Sequence, residues 1–252
     1  WTYILRYPKT LLLLLFIFIN SCSYPEISRD DLIYNNDFES GDLDAISGAQ
    51  LITYNNTTVL GNYNNDGFTL NLNDIGPHDF IYISFDLYIH DSWDGNFNNI
   101  NPDQPDAWFL ELNSDTDSGI PNSVWETSFS NSVCNSALCL KQSYPAVFPA
   151  ENLPREGSSR LLPGLCSLES DFDGTTLYTI EKGFEHTGDA LQILFYDRLY
   201  QPNAVDEKCD ESWSLDNLKI RIVKSEWTNI YANHIIRVNL LLFFSRTTST
   251  NN

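Results

Sequence analysis

The chain has no methionine, few histidines and few positive charges: 14 lysines and arginines stand against 34 acids in 252 residues. A formal charge of −20 repels nucleic-acid phosphates and anionic lipid headgroups, which excludes both as natural partners. Divalent cations, neutral glycans and basic proteins suit such a surface, although acidity by itself also serves solubility. Without methionine, a chain opening on Trp1 is expected to lack its natural start. Long amphipathic helical patterns are absent. So are H-E-x-x-H and G-x-S-x-G, which leaves metalloprotease and hydrolase chemistry without a motif. Glu181 and Glu185 share one face of an alternating strand at about 13 Å, too far apart for a glycosidase pair.

What is present is 42% hydrophobic and 13% aromatic residues, enough for a core and too much for disorder. Arg6 and Lys9 precede the apolar run Leu11–Ile19, with Ser21 and Ser23 after it. This is the layout of a secretory signal over residues 1–22, and the run is too short to span a bilayer. Ile19-Asn20-Ser21-Cys22 resembles a bacterial lipobox, which implies lipidation of Cys22; simple cleavage and a retained apolar anchor are the alternatives. Cys134, Cys139, Cys166 and Cys209 remain, an even number that suggests two disulfides in an oxidising compartment, with three connectivities open. Cys134 with Cys139 closes a short loop and leaves Cys166 for Cys209. Zinc is the rival, but C-x4-C has no second close pair or adjacent histidine.

Apolar residues recur with period two in short runs separated by Asn, Asp, Gly and Pro. Strands are expected at Ala49–Tyr54, Thr58–Asn62, Gly67–Asn73, Asp79–His90, Ala107–Asn113, Val124–Phe129, Thr176–Glu181, Ala190–Tyr196 and Ser214–Val223. The last alternates imperfectly, as a bulged strand does. The fold class is therefore all-β: an antiparallel β-sandwich of the jelly-roll kind over residues 30–224. Between Phe129 and Thr175 runs a long loop, braced by its cysteines. Residues 225–252 form a tail of unassigned structure, whose apolar stretch Ile235–Phe244 is broken by Arg237 and Asn239.

Acidic groups gather where strands end. Asp91-Ser92-Trp93-Asp94-Gly95-Asn96 offers Asp91, Asp94 and Asn96 around a turn, with Asp103, Asp106, Asp115 and Asp117 following. Calcium takes six to eight such oxygens, and the spacing is not that of an EF-hand. The competing reading is a solvated Asn/Asp turn bonded to its own backbone. Asp210-Glu211-Ser212-Trp213-Ser214-Leu215-Asp216-Asn217 echoes this stretch near the other end.

Asn35-Asn36-Asp37-Phe38-Glu39-Ser40-Gly41 resembles the N-x-x-F-E-x-G opening of extracellular jelly-roll modules, including galactose-binding-like carbohydrate-binding modules. Trp213–Leu218 is similar to their closing strand, and MAM-like domains share both features. The resemblance covers these two ends. It implies that first and last strands lie side by side and that a structural Ca2+ takes oxygens from Glu39 and Asp216, with Asp37 as a further ligand. Trp93, Trp108 and Trp125 are candidates to stack on a sugar ring; core packing is the alternative for each. The function expected is a secreted or surface-anchored, calcium-stabilised, non-catalytic module for carbohydrate or another cell-surface ligand. An adhesive module contacting proteins is the second reading, and a sandwich-fold glycan hydrolase or lyase the third.

Overall fold

The computed structural model describes residues 23–97, 105–114, 123–134, 139–166, 168–201 and 204–229. The expected signal region with Cys22, the acids Asp103, Asp115 and Asp117, and the tail beyond residue 229 lie outside them. Twelve strands follow in order: β1 Ser23–Asn36, β2 Ile46–Ser47, β3 Leu51–Tyr54, β4 Thr57–Tyr63, β5 Gly67–Leu72 and β6 Phe80–Asp91. Next come β7 Ala107–Ser114, β8 Ser123–Ser128, β9 Arg160–Leu162, β10 Thr175–Glu185, β11 Leu191–Arg198 and, after one helical turn α1 (Glu207–Asp210), β12 Glu211–Asn229.

Two antiparallel sheets result. One runs β3-β4-β12-β6-β10-β9 with β1 beside β12; the other runs β2-β5-β11-β7-β8. Between β4 and β7, and again between β10 and β12, the chain changes sheet at every step. The opposed quartets β4-β12-β6-β10 and β5-β11-β7-β8 make this a jelly roll. The sandwich occupies Asp30–Val223. Residues 23–29 and 224–229 belong to a second unit, in which Ser28 Oγ donates to the Lys224 carbonyl at 3.3 Å.

Alternation decides what the sheets bury. On β6, Ile81, Ile83, Phe85, Leu87 and Ile89 all point inward and are buried, as are Ile193 and Phe195 of β11. Aromatic rings fill the centre: Trp108 meets Trp213 edge-on at 5.6 Å and Phe85 at 5.5 Å. The two-residue Asn55-Asn56 turn joins β3 to β4 with both residues at positive φ, which the short polar side chain of asparagine tolerates. The expected irregularity in the last strand is real: the β12–β6 register shifts between Asp216 and Lys219, with Asn217 at φ 53°. First and last strands are neighbours, as the resemblance implied.

Both expected disulfides form. Cys134–Cys139 closes a small loop, and Cys166–Cys209 ties the loop after β9 to α1 across 43 residues. By loop-closure entropy, the second restrains the unfolded chain by roughly 4 kcal/mol and the first by about 2 kcal/mol. Replacing Cys166 and Cys209 by serine is therefore expected to lower unfolding free energy about twice as much as replacing Cys134 and Cys139, read by urea titration.

Buried amides do much of the bracing in the long loop between β8 and β9. The Asn131 side chain donates to the Ile89 and Asp91 carbonyls, both at 2.8 Å, and accepts from the Thr176 hydroxyl. Arg155 pairs with Asp173 at 2.8 Å and donates to the Asn131 carbonyl.

Candidate functional site

Strand periodicity builds an acidic centre at one end of the sandwich. Residues i and i+2 share a face. Trp213 and Trp108 point into the core, so Glu211 and Asp106, each two residues upstream, continue the same inward face to its edge. Both keep only 4% of their surface exposed. One sits on the seven-stranded sheet and the other at the head of β7 in the opposite sheet. Asp94 completes the group from the turn after β6, where Trp93 is drawn inward by its Nε1–H, which donates to the Ser212 carbonyl at 2.8 Å. One carboxylate oxygen from each of Asp94, Asp106 and Glu211 lies within 4.8 Å of the others.

Hydrogen bonds only partly satisfy these acids. Asp106 accepts the Asp94 and Tyr200 amides, both at 3.3 Å. Glu211 Oε2 is buried with no partner. Burial pushes the Asp106 carboxyl up to about 7 and Glu211 well above the usual carboxylate range; repulsion within the group adds to both. Asp94 is raised by burial and by Asp210. Two buried carboxylates and the half-buried Asp94 at this spacing repel one another, and protons or a cation relieve that repulsion. The donors are all hard oxygens from three chain segments, a set suited to calcium rather than to zinc or copper. The arrangement can hold a metal ion, and an ion there would touch both sheets.

The expected ligands divide. Asp94 joins the centre, whereas Asp91 and Asn96 serve elsewhere. Asp91 takes a left-handed φ of 62°, which breaks the alternation of β6, and its Oδ1 accepts the Leu168 amide at 2.8 Å. The Asn96 carboxamide is consumed by the Ser128 and Ser143 hydroxyls and the Ala150 carbonyl. Glu39 and Asp37 come within electrostatic reach of Asp216, which burial and then the charges of Asp86, Glu39 and Asp37 raise to about 6. Glu39 is occupied by the Thr57 hydroxyl and the Thr58 amide. Among the described residues, Asp94, Asp106 and Glu211 form the one group of three such side chains close enough to share an ion.

The tryptophan expectation is corrected. Trp93 and Trp108 are 0% exposed and Trp125 is 4% exposed, so none offers a ring face to a sugar. They belong to the aromatic core: Trp93 meets Phe129, and Trp108 meets Trp125.

An aromatic surface lies instead on the outer face of the five-stranded sheet. Register places Gly67, Tyr196 and Phe109 side by side on β5, β11 and β7. Tyr196 stacks on Phe109 at 4.7 Å and 6°. Opposite Tyr196 no side chain stands, because a Cβ on Gly67 would fall 2.0 Å from the Phe195 carbonyl oxygen. There opens a groove of about 410 Å³ lined by Ser47, Gly48, Asp66, Gly67, Thr69 and Tyr196 among others. Beside it runs a ladder of amides, with Gln192 bonded to Asn71 at 2.9 Å and to Asn113 at 3.0 Å. The Tyr196 hydroxyl donates to Glu111 at 3.2 Å. No motif marks this surface; its signal is the polar alternate positions of β11, Gln192 and Tyr196.

No protein-family model and no curated protein matches the chain. Solved structures similar to it include the CBM22-1–GH10 modules of Clostridium thermocellum endo-1,4-beta-D-xylanase 10B complexed with xylohexaose. That match has 8% identity and a TM-score of 0.35, covering 77% of this chain and 29% of the other. A second is the CBM22-2 xylan-binding domain of Paenibacillus barcinonensis Xyn10C, with 12% identity, a TM-score of 0.33 and 75% and 98% coverage. A third is CBM28, a non-crystalline cellulose specific carbohydrate-binding module, with 11% identity, a TM-score of 0.34 and 78% and 94% coverage. The chain thus spans less than a third of the length of the first of these.

Proposed function

We propose that the protein is a secreted or surface-anchored, calcium-stabilised, non-catalytic module that binds a neutral glycan along the outer face of its five-stranded sheet. The observation that carries this reading is Tyr196. One side of its ring is fixed against Phe109, and the ring borders a groove lined by the apolar residues Phe68, Leu194 and Phe195 together with Ser47, Thr69 and Asp66. A pyranose has the matching chemistry: an apolar C–H face for the aromatic ring and a girdle of hydroxyls for Ser47, Asp66 and Thr69. The surplus of acids favours an uncharged sugar over a sulfated or uronic one. The two disulfides support an oxidising, extracellular setting. Calcium at Asp94, Asp106 and Glu211 serves the fold by linking the sheets, in keeping with an all-oxygen donor set.

Affinity electrophoresis through soluble neutral polysaccharides, followed by calorimetry on whatever retards the protein, tests the reading. Tyr196→Ala is expected to weaken binding by about tenfold or more, the worth of one well-stacked ring, while the melting temperature stays close to that of the native protein. Retardation by no neutral polysaccharide, or binding indifferent to Tyr196→Ala, rejects this surface and favours a protein-contacting module.

A further inference from the structure

The segment between β4 and β5 touches both the acidic centre and the groove. Asn64 is buried, and its Nδ2 donates to the Glu211 carbonyl at 2.8 Å, to Gln201 Oε1 at 2.8 Å and to the Glu207 carbonyl at 3.2 Å. It therefore clasps the residue that brings the deepest carboxylate to the centre. The next two residues face the other way. The Asn65 and Asp66 amides donate to the Asp197 carboxylate at 2.7 and 3.2 Å, and Asp66 with Gly67 lines the groove. Asn65 also exchanges two hydrogen bonds with the Leu199 backbone, at 2.9 and 3.0 Å. One residue on, the Tyr200 amide holds Asp106. Residues 197–201 and 64–66 thus form a hydrogen-bonded strap, with two carboxylate-bearing residues of the centre at one margin and the groove wall at the other.

We propose that occupancy of the Asp94–Asp106–Glu211 centre sets the order of the 64–66 segment and thereby the affinity of the groove. The inference rests on the cation reading of that centre. With an ion drawing the three carboxylates together, the Glu211 backbone and the Tyr200 amide are fixed, and the strap has one arrangement. With the centre empty, protons neutralise the carboxylates instead, nothing draws the three side chains onto a common point, and the strap is held less tightly at both contacts. Whatever the ion does for ligand binding, the ligand must do equally for ion binding. The coupling needs no contact between ion and ligand.

The test uses calcium alone as probe. Amide hydrogen exchange of the full chain is followed residue by residue, with calcium and with chelator, alongside calorimetric titration of calcium. The Gly76 amide is the internal control: it too is held by a loop carboxylate, Asp189 at 2.9 Å, near the opposite end of β6. Calcium is expected to slow exchange at Asn65 and Asp66 by about tenfold or more while Gly76 changes by less than about twofold. In Asn64→Ala calcium still binds, and the selective slowing at residues 65 and 66 disappears. If calcium binds yet Asn65 and Asp66 respond no more than Gly76, the coupling is wrong and the cation site stands. If calorimetry detects no calcium binding, the cation reading falls and the coupling falls with it.

Discussion

Exchanging chelator for calcium at a hundredfold excess over Kd raises the melting temperature by about 5–10 °C, because native-state binding adds about 2.7 kcal/mol and a domain of this size gains some 2–4 °C per kcal/mol. Asp106→Asn is expected to do two things at once. In chelator its melting temperature is expected to stay near that of the native protein, since relief of a buried acid is offset by loss of one of the two amide hydrogen bonds that its oxygens accept. With calcium it gains little, since one of three carboxylates is gone. Loss of stability in both solutions would mean that Asp106 is held by protein contacts and not by an ion.

The pH dependence follows from the same groups. In chelator, Asp106 titrates at about 7 in the folded protein and near 3.8 unfolded, so the folded state binds the extra proton between those values. Its stabilising contribution is full below about pH 4 and is lost as pH rises through 7; Glu211 acts in the same direction. Two histidines oppose them. Burial lowers His90 to about 3, its ring nitrogens held by Thr175 and Ser214, and lowers His186 to about 4, against 6.5 unfolded. Their contribution is full above pH 6.5 and is lost as pH falls through 4 to 3. Asp197 and Asp216, both raised to about 6 by burial, act with the acids, so stability without calcium should fall as pH rises from about 4 to 7, and calcium should make that fall shallower. Thermal melts across pH with and without calcium measure both slopes.

Gln142→Leu carries the second large effect. The Gln142 side chain is fully buried and every polar site on it is used. Oε1 accepts from the Ser130 amide at 3.0 Å, the Arg155 amide at 2.9 Å and the Tyr178 hydroxyl at 3.2 Å. Nε2 donates to the Tyr144 and Glu156 carbonyls, both at 3.0 Å. Leucine fills the volume but strands four backbone and hydroxyl groups in the interior, each at a cost of about 1–3 kcal/mol, while the Arg155 amide keeps the Ser130 carbonyl. The expected loss is about 4 kcal/mol or more, limited by the point at which the loop peels away. Proteolysis should then cut within residues 129–159 well below the melting transition of the sheets. That loss exceeds the cost of removing Cys134–Cys139, so a protease-resistant Gln142→Leu protein would return the bracing role to the disulfide.

Period-two alternation made the long strands legible, because each of β5, β6, β7 and β11 has one face of core side chains while the other carries polar residues such as Asn71, Asp86, Glu111 and Gln192. It missed β2 and β9, which are too short to show a period, and β1, whose Arg29, Asp30 and Asp31 interrupt any apolar series. Trp93 was misplaced for a definite reason. A Trp between acids and a glycine looks like a surface turn, and only the Ser212 carbonyl, 119 residues away, explains why the ring goes inward. The acidic centre was half legible. Asp94 stood out by its local cluster, but its partners depend on pairing Glu211 with Asp91 across β6 and β12 and on Asp106 heading the facing strand. A local signal existed: Asp106-Ala107-Trp108 and Glu211-Ser212-Trp213 each set an acid two residues before a core tryptophan.

β12, made after every other strand of the sandwich, lies between β4 and β6 in the middle of its sheet. A nascent chain leaving the ribosome therefore exposes two unpaired edges and a half-open interior until its final segment arrives, and Cys209 and Glu211 come with that segment. Such a chain stays threadable while it is being made and closes in one late step. That order of events places closure of the sheet and closure of the Cys166–Cys209 bridge in the same final stretch of chain.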